Sequence, residues 1–178
     1  MIKQVIQTER LTIKPFEEAD KPMLALLLTN DAIKETFMIP DYPTHEALNA
    51  AVDKLFDAAL SGRHFVRGIF VGSSLIGLVN EVEAVGDSIE IGYAIHPDYQ
   101  NHGYATEAFR AVIDEMLCGG YSKVTAGAFI HNTASLRVMQ KCGMKKSDEE
   151  EDIFYHGKNM HCVYYEVIKP LNLSDVEG

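Results

Sequence analysis

The chain has 178 residues, of which 47% are hydrophobic and 24% are charged. This balance is typical of one globular domain and excludes disordered or low-complexity chains. The net charge of −10 disfavours binding to nucleic acid or to anionic membranes, and it favours cationic substrates.

The sequence lacks the usual signals for targeting, membrane anchoring or metal binding. Its longest apolar run, Met23 to Leu28, is far shorter than the ~18 residues that span a bilayer. Residues Met1 to Val5 contain no apolar signal-peptide core. The three cysteines, Cys118, Cys142 and Cys162, lie far apart and form no zinc-type pair. We therefore expect a cytoplasmic protein with reduced thiols, no metal and no membrane segment.

The first half of the chain is predicted to combine short strands with two helices. Leu11 to Phe16 alternates apolar and polar residues, as a half-buried strand does. Amphipathic helices are predicted from Asp20 to Leu28 and from Thr44 to Ser61, each opened by a good capping residue. Strands at 65–71 and 75–82 then form a hairpin around a glycine-containing turn.

The second half contains the strongest helix signal, an apolar face at helical spacing that begins at Ala105 and ends before Gly119. Further helix and strand patterns surround it. In chain order, the second half is predicted to hold a strand at 89–95, a helix at 105–117, a strand at 123–130, a helix at 132–143 and a hairpin of strands at 152–155 and 159–168.

The predicted order β-α-α-β-β-β-α-β-α-β-β indicates an α/β (α+β) fold. We expect a mixed, mostly antiparallel central sheet of about seven strands with helices on both faces. No linker rich in proline, glycine or serine divides the chain. Residues 1–170 are therefore predicted to form a single domain, and residues 171–178 a flexible tail.

One segment carries a candidate ligand site, the polar turn Gln100 to Ala105 between a strand and the long helix. Free N–H groups at a helix N-terminus bind anions, and Gly103 lets a phosphate approach the backbone. A pyrophosphate would fit there, although a plain strand-to-helix turn has the same spacing. The sequence contains neither a Walker loop nor a dinucleotide-binding glycine motif.

Three ordered segments resemble the GNAT N-acetyltransferase superfamily. Thr8 to Leu11 is similar to its usual opening, and the strand Glu90 to Ile95 precedes its Q-x-x-G-x-A motif at Gln100 to Ala105. His131 to Met144 is similar to its second motif, N-x-x-S…K-x-G-F. The resemblance spans roughly residues 8 to 169. It is strongest to the RimJ/RimL-type branch, which acetylates the N-termini of ribosomal proteins.

The resemblance implies an acetyl-CoA-dependent N-acetyltransferase that transfers acetyl directly to a primary amine, with no metal. Pantetheine would pair with the backbone at the end of the strand that closes at Ile95, where a bulge splays it from its neighbour. Pyrophosphate would lie on backbone N–H groups of the following turn. The implied cofactor-binding residues are Ile95, Gln100, Asn101, His102, Gly103, Tyr104, Ala105, Asn132 and Ser135.

Candidate catalytic residues are Ser135, Glu90 and Glu81. The resemblance places Ser135 near the thioester sulfur, where its hydroxyl would protonate the leaving group. Alternatively, Ser135 only satisfies the helix backbone. Central-strand carboxylates have raised pKa values, so Glu90 or Glu81 would relay a proton through water. Alternatively, Glu90 bonds to loop N–H groups and Glu81 is an edge charge.

Two positions depart from the family pattern. His102 stands where the family often has lysine or arginine, and Asn101 stands where it often has glycine. A histidine supplies less fixed charge at neutral pH. The acidic run Asp148 to Asp152 is predicted to be a solvated loop, or alternatively a negative rim that recruits a cationic substrate.

The acceptor amine is left open between classes. The α-amine of a protein N-terminus is favoured, because such amines are partly neutral at pH 7 whereas lysine side chains are not. A small-molecule amine (a polyamine, an amino acid or an aminoglycoside) is an alternative acceptor. A CoA-binding module without turnover is a further alternative function. A homodimer is an alternative to a monomer, because sheet edges and final hairpins in this superfamily often pair.

Overall fold

The computed structural model describes residues 2–170, so the predicted tail at 171–178 lies outside the described residues. The order of helices and strands follows the predicted order, with the short strand β1 and the short helix α2 in addition. The helices are α1 (Lys21–Thr29), α2 (Asp31–Lys34), α3 (His45–Ser61), α4 (Tyr104–Gly119) and α5 (Thr133–Lys141). The strands are β1 (Ile6–Gln7), β2 (Thr12–Lys14), β3 (Val66–Val71), β4 (Ser74–Val85), β5 (Ser88–Ile95), β6 (Lys123–Phe129), β7 (Lys145–Tyr155) and β8 (Lys158–Ile168).

In the described chain, the strands form one sheet in the order β1-β2-β3-β4-β5-β6-β8-β7. Neighbours run antiparallel except β5 and β6, which run parallel and are joined by the crossover helix α4. The predicted mixed, mostly antiparallel sheet is confirmed, with eight strands instead of about seven. The additional strand β1 has two residues, which is too short for an alternation of apolar and polar residues to show.

Helices cover both faces of the sheet, and each face has its own apolar core. On one face α4 buries Val112 and Met116 against the strands, and on the other α1 buries Leu24. Ile69 and Phe70 are consecutive in β3, and their side chains enter opposite cores. The alternation of a strand between two buried faces therefore produces the continuous apolar runs seen in the sequence.

The acidic run at Asp148 to Asp152 is not a loop, so that prediction was wrong. It lies in β7, an edge strand that pairs with β8 and shifts register between Lys146 and Glu150. Backbone pairing with β8 holds the strand, while the acidic side chains remain exposed or partly exposed. Charged side chains on an edge strand also discourage pairing with another sheet. The pattern hid the strand because the usual apolar alternation is missing.

The strands β5 and β6 separate shortly after they begin, which opens the centre of the sheet. Their pairing ends with Glu90 opposite Thr125, the third pair, although β5 continues to Ile95 and β6 to Phe129. On the other side of β5, β4 carries an extra residue at Val82, which is a β-bulge that increases local twist. Beyond this point, the edge of β5 that faces β6 has no strand partner among residues 2–170.

Candidate functional site

Two cavities meet where β5 and β6 diverge. The first, which we call the sheet cavity, has a volume of about 620 Å³ and lies among β4, β5, α3 and residues 36–42. The second, the turn cavity, has a volume of about 560 Å³ and is lined by residues 99–101, residues 103–106 and α5. The residues that line both are Thr36, Phe37, Tyr93, Asn132 and Ser135. Two ligands could thus meet at the split in the sheet.

The turn between β5 and α4 has the backbone shape of an anion site. Asn101 and Gly103 have φ angles of 64° and 81°, in the left-handed region that favours glycine and asparagine. Gly103 is the N-cap of α4, so the first N–H groups of the helix are free beside it. The side-chain amide of Gln100 donates to the carbonyl of Ile95 at 3.0 Å and ties the turn to the end of β5.

The structure brings most of the predicted cofactor-binding residues together around the turn cavity. Those that line it are Ile95, Gln100, Asn101, Gly103, Tyr104, Ala105, Asn132 and Ser135. His102 does not line the cavity. Its ring stacks on Tyr104 with centroids 5.7 Å apart, and its Nδ1 lies 2.7 Å from the carbonyl oxygen of Gln100. The side chain of His102 therefore braces the turn from outside.

Asn132 and Ser135 form one unit at the start of α5. The Asn132 carboxamide oxygen accepts from the Ser135 backbone N–H at 3.1 Å and so caps the helix. The Asn132 side-chain N–H₂ donates to Ser135 Oγ at 2.9 Å. Because Ser135 Oγ accepts this bond, its own hydrogen is free to point toward a ligand. The capping role and a ligand-facing role are therefore compatible, and the geometry accommodates both.

Glu90 faces the sheet cavity from β5 and is half-buried. Burial raises the pKa of its carboxyl, and the neighbouring carboxylates of Glu83, Glu151 and Glu149 raise the pKa further. In the described part of the chain, no hydrogen bond stabilises the charged form of Glu90. A carboxylate with a raised pKa is a stronger base than an ordinary carboxylate, so at a cavity wall Glu90 is a candidate proton acceptor.

Glu81 also lines the sheet cavity, but its carboxylate is already engaged. One oxygen lies 3.1 Å from His64 Nδ1, and the other accepts from the Phe65 N–H at 3.1 Å. The side chain is only 15% exposed. The alternative that Glu81 is an edge charge was wrong, because β4 pairs with β3 and with β5. These contacts of Glu81 join the start of β3 to β4 and so stabilise the fold.

Tyr93 is a site residue that the sequence analysis did not single out. It lines both cavities, and its ring packs on Phe109 with centroids 4.6 Å apart. Its hydroxyl is buried beside Ser135 and, among the described residues, makes no hydrogen bond of ordinary geometry. Burial raises the pKa of Tyr93 well above its usual range, so the hydroxyl stays protonated. The available signal was a tyrosine among core-facing isoleucines, since a buried tyrosine hydroxyl normally has a partner.

The hairpin β7–β8 closes the far side of the sheet cavity. The Tyr155 hydroxyl, near the hairpin tip, donates to the Lys34 carbonyl at 2.8 Å and accepts from the Ile39 N–H at 3.2 Å. Asp41 forms an ion pair with Lys34, and its other carboxylate oxygen lies 3.2 Å from His156 Nδ1. These contacts fix the segment 34–42 over the cavity.

Two further observations concern the described residues 2–170. No three His, Cys, Asp or Glu side chains gather there in an arrangement that would hold a metal ion. No helix in that range combines the length and the apolar character needed to span a membrane.

Comparisons with known proteins agree with this fold and cleft. Residues 10–145 match the family described as "Acetyltransferase (GNAT) domain". The uncharacterized N-acetyltransferase YnaD of Bacillus subtilis is 29% identical over 168 residues, which cover 92% of this chain and 95% of that protein. The uncharacterized N-acetyltransferase YoaA of the same organism is 24% identical over 176 residues, covering 93% and 97%.

Solved structures show the same fold. A GNAT-family acetyltransferase from Bacillus anthracis has a TM-score of 0.79 and 24% identity, covering 92% of this chain and 98% of that one. The RimL ribosomal L7/L12 α-N-protein acetyltransferase, solved in complex with coenzyme A, has a TM-score of 0.80 and 18% identity, covering 92% and 97%. Since the family match spans most of the chain, this protein belongs to the GNAT acetyltransferase domain family and is an N-acetyltransferase.

Proposed function

We propose that this protein transfers acetyl from acetyl-CoA directly to a primary amine, the α-amine of a protein N-terminus. The observation that carries the proposal is the meeting of the two cavities at the split between β5 and β6, beside Tyr93, Asn132 and Ser135. One cavity would hold the acetyl donor and the other the amine. The α-N-protein acetylation carried out by the RimL enzyme of the same fold supports this choice of amine.

The turn cavity fits acetyl-CoA on observations of this structure. The N–H groups of Asn101 to Ala105 would hold the pyrophosphate at the start of α4. The edge of β5 that has lost its partner beyond Glu90 would pair with pantetheine. The buried, unpartnered hydroxyl of Tyr93 lies where the cavities join. When bound, acetyl-CoA supplies an activated thioester carbonyl.

Ser135 would act on the leaving sulfur. Its Oγ already accepts a hydrogen bond from Asn132, so its hydrogen is available to donate toward the position of the sulfur. Such a bond stabilises the negative charge that develops as the carbon–sulfur bond breaks. The pair is rigid because Asn132 holds both the N–H and the hydroxyl of Ser135.

Glu90 would accept the amine proton through a water molecule. Its carboxylate lines the sheet cavity and has a raised pKa, whereas the Glu81 carboxylate is bound by His64 and Phe65. The amine nitrogen bonds to the carbonyl carbon as the bond to sulfur breaks, and the nitrogen loses one proton toward Glu90. No cysteine is needed as a nucleophile, so the transfer is direct.

The fraction of the amine that is neutral at pH 7 favours an α-amine. A peptide α-amine has a reference pKa of about 7.7–8.0, whereas lysine lies near 10.4. Roughly a tenth of α-amines are therefore neutral at pH 7, against fewer than one in a thousand lysine side chains. A site whose base is a single carboxylate gains most from the more acidic amine.

A small cationic amine, such as a polyamine, an amino acid or an aminoglycoside, is the second candidate acceptor. The observation that favours it is the group of carboxylates near Glu90, which includes Glu83, Glu149 and Glu151. Their combined charge would draw a multiply charged amine toward the sheet cavity. This attraction would weaken as salt is added.

The test measures CoA release with matched acceptors. One peptide has a free N-terminus and no lysine, a second has a blocked N-terminus and one lysine, and a panel adds spermidine, amino acids and an aminoglycoside. Faster turnover of the free N-terminus supports the proposal. Equal or faster acetylation of the blocked peptide contradicts the preference for α-amines.

Two other outcomes separate the alternatives. Turnover of the small amines alone would favour the second candidate. Saturable acetyl-CoA binding by calorimetry without turnover of any amine would indicate a binding module. No binding of acetyl-CoA at millimolar concentration would overturn the proposed function as a whole.

A further inference from the structure

The opening segment of the chain is fastened to the first turn of α4. The carboxylate of Glu107, one turn into that helix, accepts from the Thr8 hydroxyl at 2.6 Å and from the Arg10 N–H at 2.9 Å. Its other oxygen accepts from Arg10 Nε at 2.7 Å. These bonds span almost a hundred residues of sequence, so they fix the segment between β1 and β2 against the first turn of α4.

The guanidinium of Arg10 lies against the turn itself. Its Nη1 donates to the carbonyl of His102 at 2.9 Å, and the group sits over the ring of Tyr104, 4.7 Å from the centroid. Its Nη2 lies 2.6 Å from Glu107 and 3.4 Å from the position that a Cβ on Gly103 would occupy. Arg10 therefore touches successive residues of the turn that begins α4.

Arg10 still has capacity to bind an anion. An arginine side chain has five N–H donors, and the contacts with Glu107 and His102 use three of them. The side chain is 44% exposed. Arg10 is not among the residues that line the turn cavity, so its remaining donors would meet the part of a ligand that extends out of the cavity past Gly103. Arginine is permanently charged and matches the geometry of phosphate oxygens.

A cation at the turn would balance the negative charge that α4 places beside the phosphate. Glu107 places a carboxylate in the first turn of α4, where it would repel a phosphate unless a cation balanced it. His102 is turned away from the cavity with its Nδ1 on the carbonyl of Gln100. Arg137 and Lys141 line the turn cavity from α5, whereas Arg10 is the cation that contacts His102 and Tyr104 and lies beside Gly103, the N-cap of α4.

We propose that Arg10 binds a phosphate group of acetyl-CoA and supplies the fixed positive charge at the turn, while Glu107 positions its guanidinium. This inference rests on the proposed use of acetyl-CoA. The proposed role of Arg10 explains what the opening motif Thr8 to Leu11 would contribute. It also explains how the turn could bind phosphate with histidine instead of lysine or arginine at position 102.

The test compares the dissociation constant of CoA, measured by calorimetry, for the wild type and for variants. R10Q should weaken CoA binding at least tenfold, and R10K should restore part of it. R63Q is the matched control, because Arg63 is exposed and its backbone hydrogen bond goes to Ser61, away from the turn. R63Q should change the dissociation constant less than twofold. Steady-state kinetics should show R10Q raising KM for acetyl-CoA while kcat changes less than twofold.

The double variant R10Q/E107Q separates direct contact from charge balance. Direct contact predicts that the double variant binds CoA at least fivefold more weakly than the wild type. Recovery of wild-type affinity would show that Arg10 only neutralises Glu107 and would overturn the proposal. So would an R10Q protein that binds CoA like R63Q. Should R10Q fail to fold, R10K decides: its affinity must lie at least threefold below that of the wild type. A wild type that binds no CoA would instead contradict the proposed function.

Discussion

Asn132 holds Ser135 at two atoms: its carboxamide oxygen accepts the Ser135 N–H at 3.1 Å, and its N–H₂ group donates to Ser135 Oγ at 2.9 Å. The hydroxyl is therefore fixed in orientation before any ligand arrives. A preorganised donor loses little entropy when it binds and costs no reorganisation during the reaction.

Replacing Ser135 by alanine should lower kcat while leaving the affinity for acetyl-CoA nearly unchanged. A positioned proton donor typically contributes 10²–10⁴-fold, so we expect a loss of at least about tenfold in S135A. The cap of α5 survives, because the Ser135 N–H remains. Ser147→Ala removes a hydroxyl from β7, outside both cavities, and should retain full kcat. Wild-type kcat in S135A would contradict the proposed role.

Tyr93→Phe should affect folding and activity in opposite directions. The Tyr93 hydroxyl is buried without a hydrogen bond of ordinary geometry, and an unsatisfied buried group costs about 1–3 kcal/mol. Its removal should leave Tm of the free protein unchanged or higher. We expect kcat to fall at least fivefold, because the hydroxyl lies where the two cavities join and would donate a hydrogen bond to the bound thioester there. Tyr165→Phe is the control, since its hydroxyl accepts from Gln140 at 3.2 Å. That variant should lose stability and keep its activity. A fall in Tm for Y93F would contradict the claim that the Tyr93 hydroxyl is buried without a hydrogen bond.

Glu90→Gln should remove the acidic limb of the pH–rate profile. As a base, Glu90 must be ionised, so wild-type activity should fall as pH drops through its pKa, which burial and nearby carboxylates raise. The raised pKa of Glu90 also makes the stability of the folded protein depend on pH. Because the folded-state pKa is raised, the contribution of Glu90 is fully favourable below the unfolded value and is lost as pH rises through the folded value. E90Q should therefore raise Tm at pH 8 more than at pH 4. An unchanged acidic limb in E90Q would remove Glu90 as the base.

Tyr155→Phe should loosen the segment over the sheet cavity. The variant loses the bonds of the hydroxyl to Lys34 and Ile39, worth about 1 kcal/mol, so Tm should fall by roughly 2–4 °C. KM for the amine should rise more than KM for acetyl-CoA, because residues 38–40 and Tyr42 of this segment line only the sheet cavity, whereas Thr36 and Phe37 line both cavities. Equal changes in both KM values would show a global effect instead.

The fold was largely predictable because its elements carry strong local signals. The apolar face of α4 and the Thr44 cap of α3 were both visible. Strand β7 was not, because an edge strand with charged side chains is held by its backbone bonds to β8, and no side-chain pattern records them. The helix α2 likewise has only four residues, about one helical turn, so its apolar pattern has no room to repeat.

The site was predictable where residues are close in sequence and hidden where they are distant. The turn at Gly103 and the Asn132–Ser135 unit each lie within one short segment. The contact of Arg10 with Glu107 joins residues that only the folded sheet brings together. The free state of Glu90 and the engaged state of Glu81 depend on which neighbours the strand pairing supplies, so the sequence left the two carboxylates equivalent.

The turn before α4 presents main-chain N–H groups, and this has an evolutionary consequence. Backbone N–H groups can bind a ligand whatever side chains their residues carry. Within the turn, the choice of residue is therefore restricted mainly at Asn101 and Gly103, because their φ angles are positive. The sheet cavity, by contrast, is walled by side chains from β4, α3 and residues 36–42. Sequence drift can therefore reshape the sheet cavity while the turn persists, which suits a fold shared with the RimL enzyme at a TM-score of 0.80 despite 18% identity.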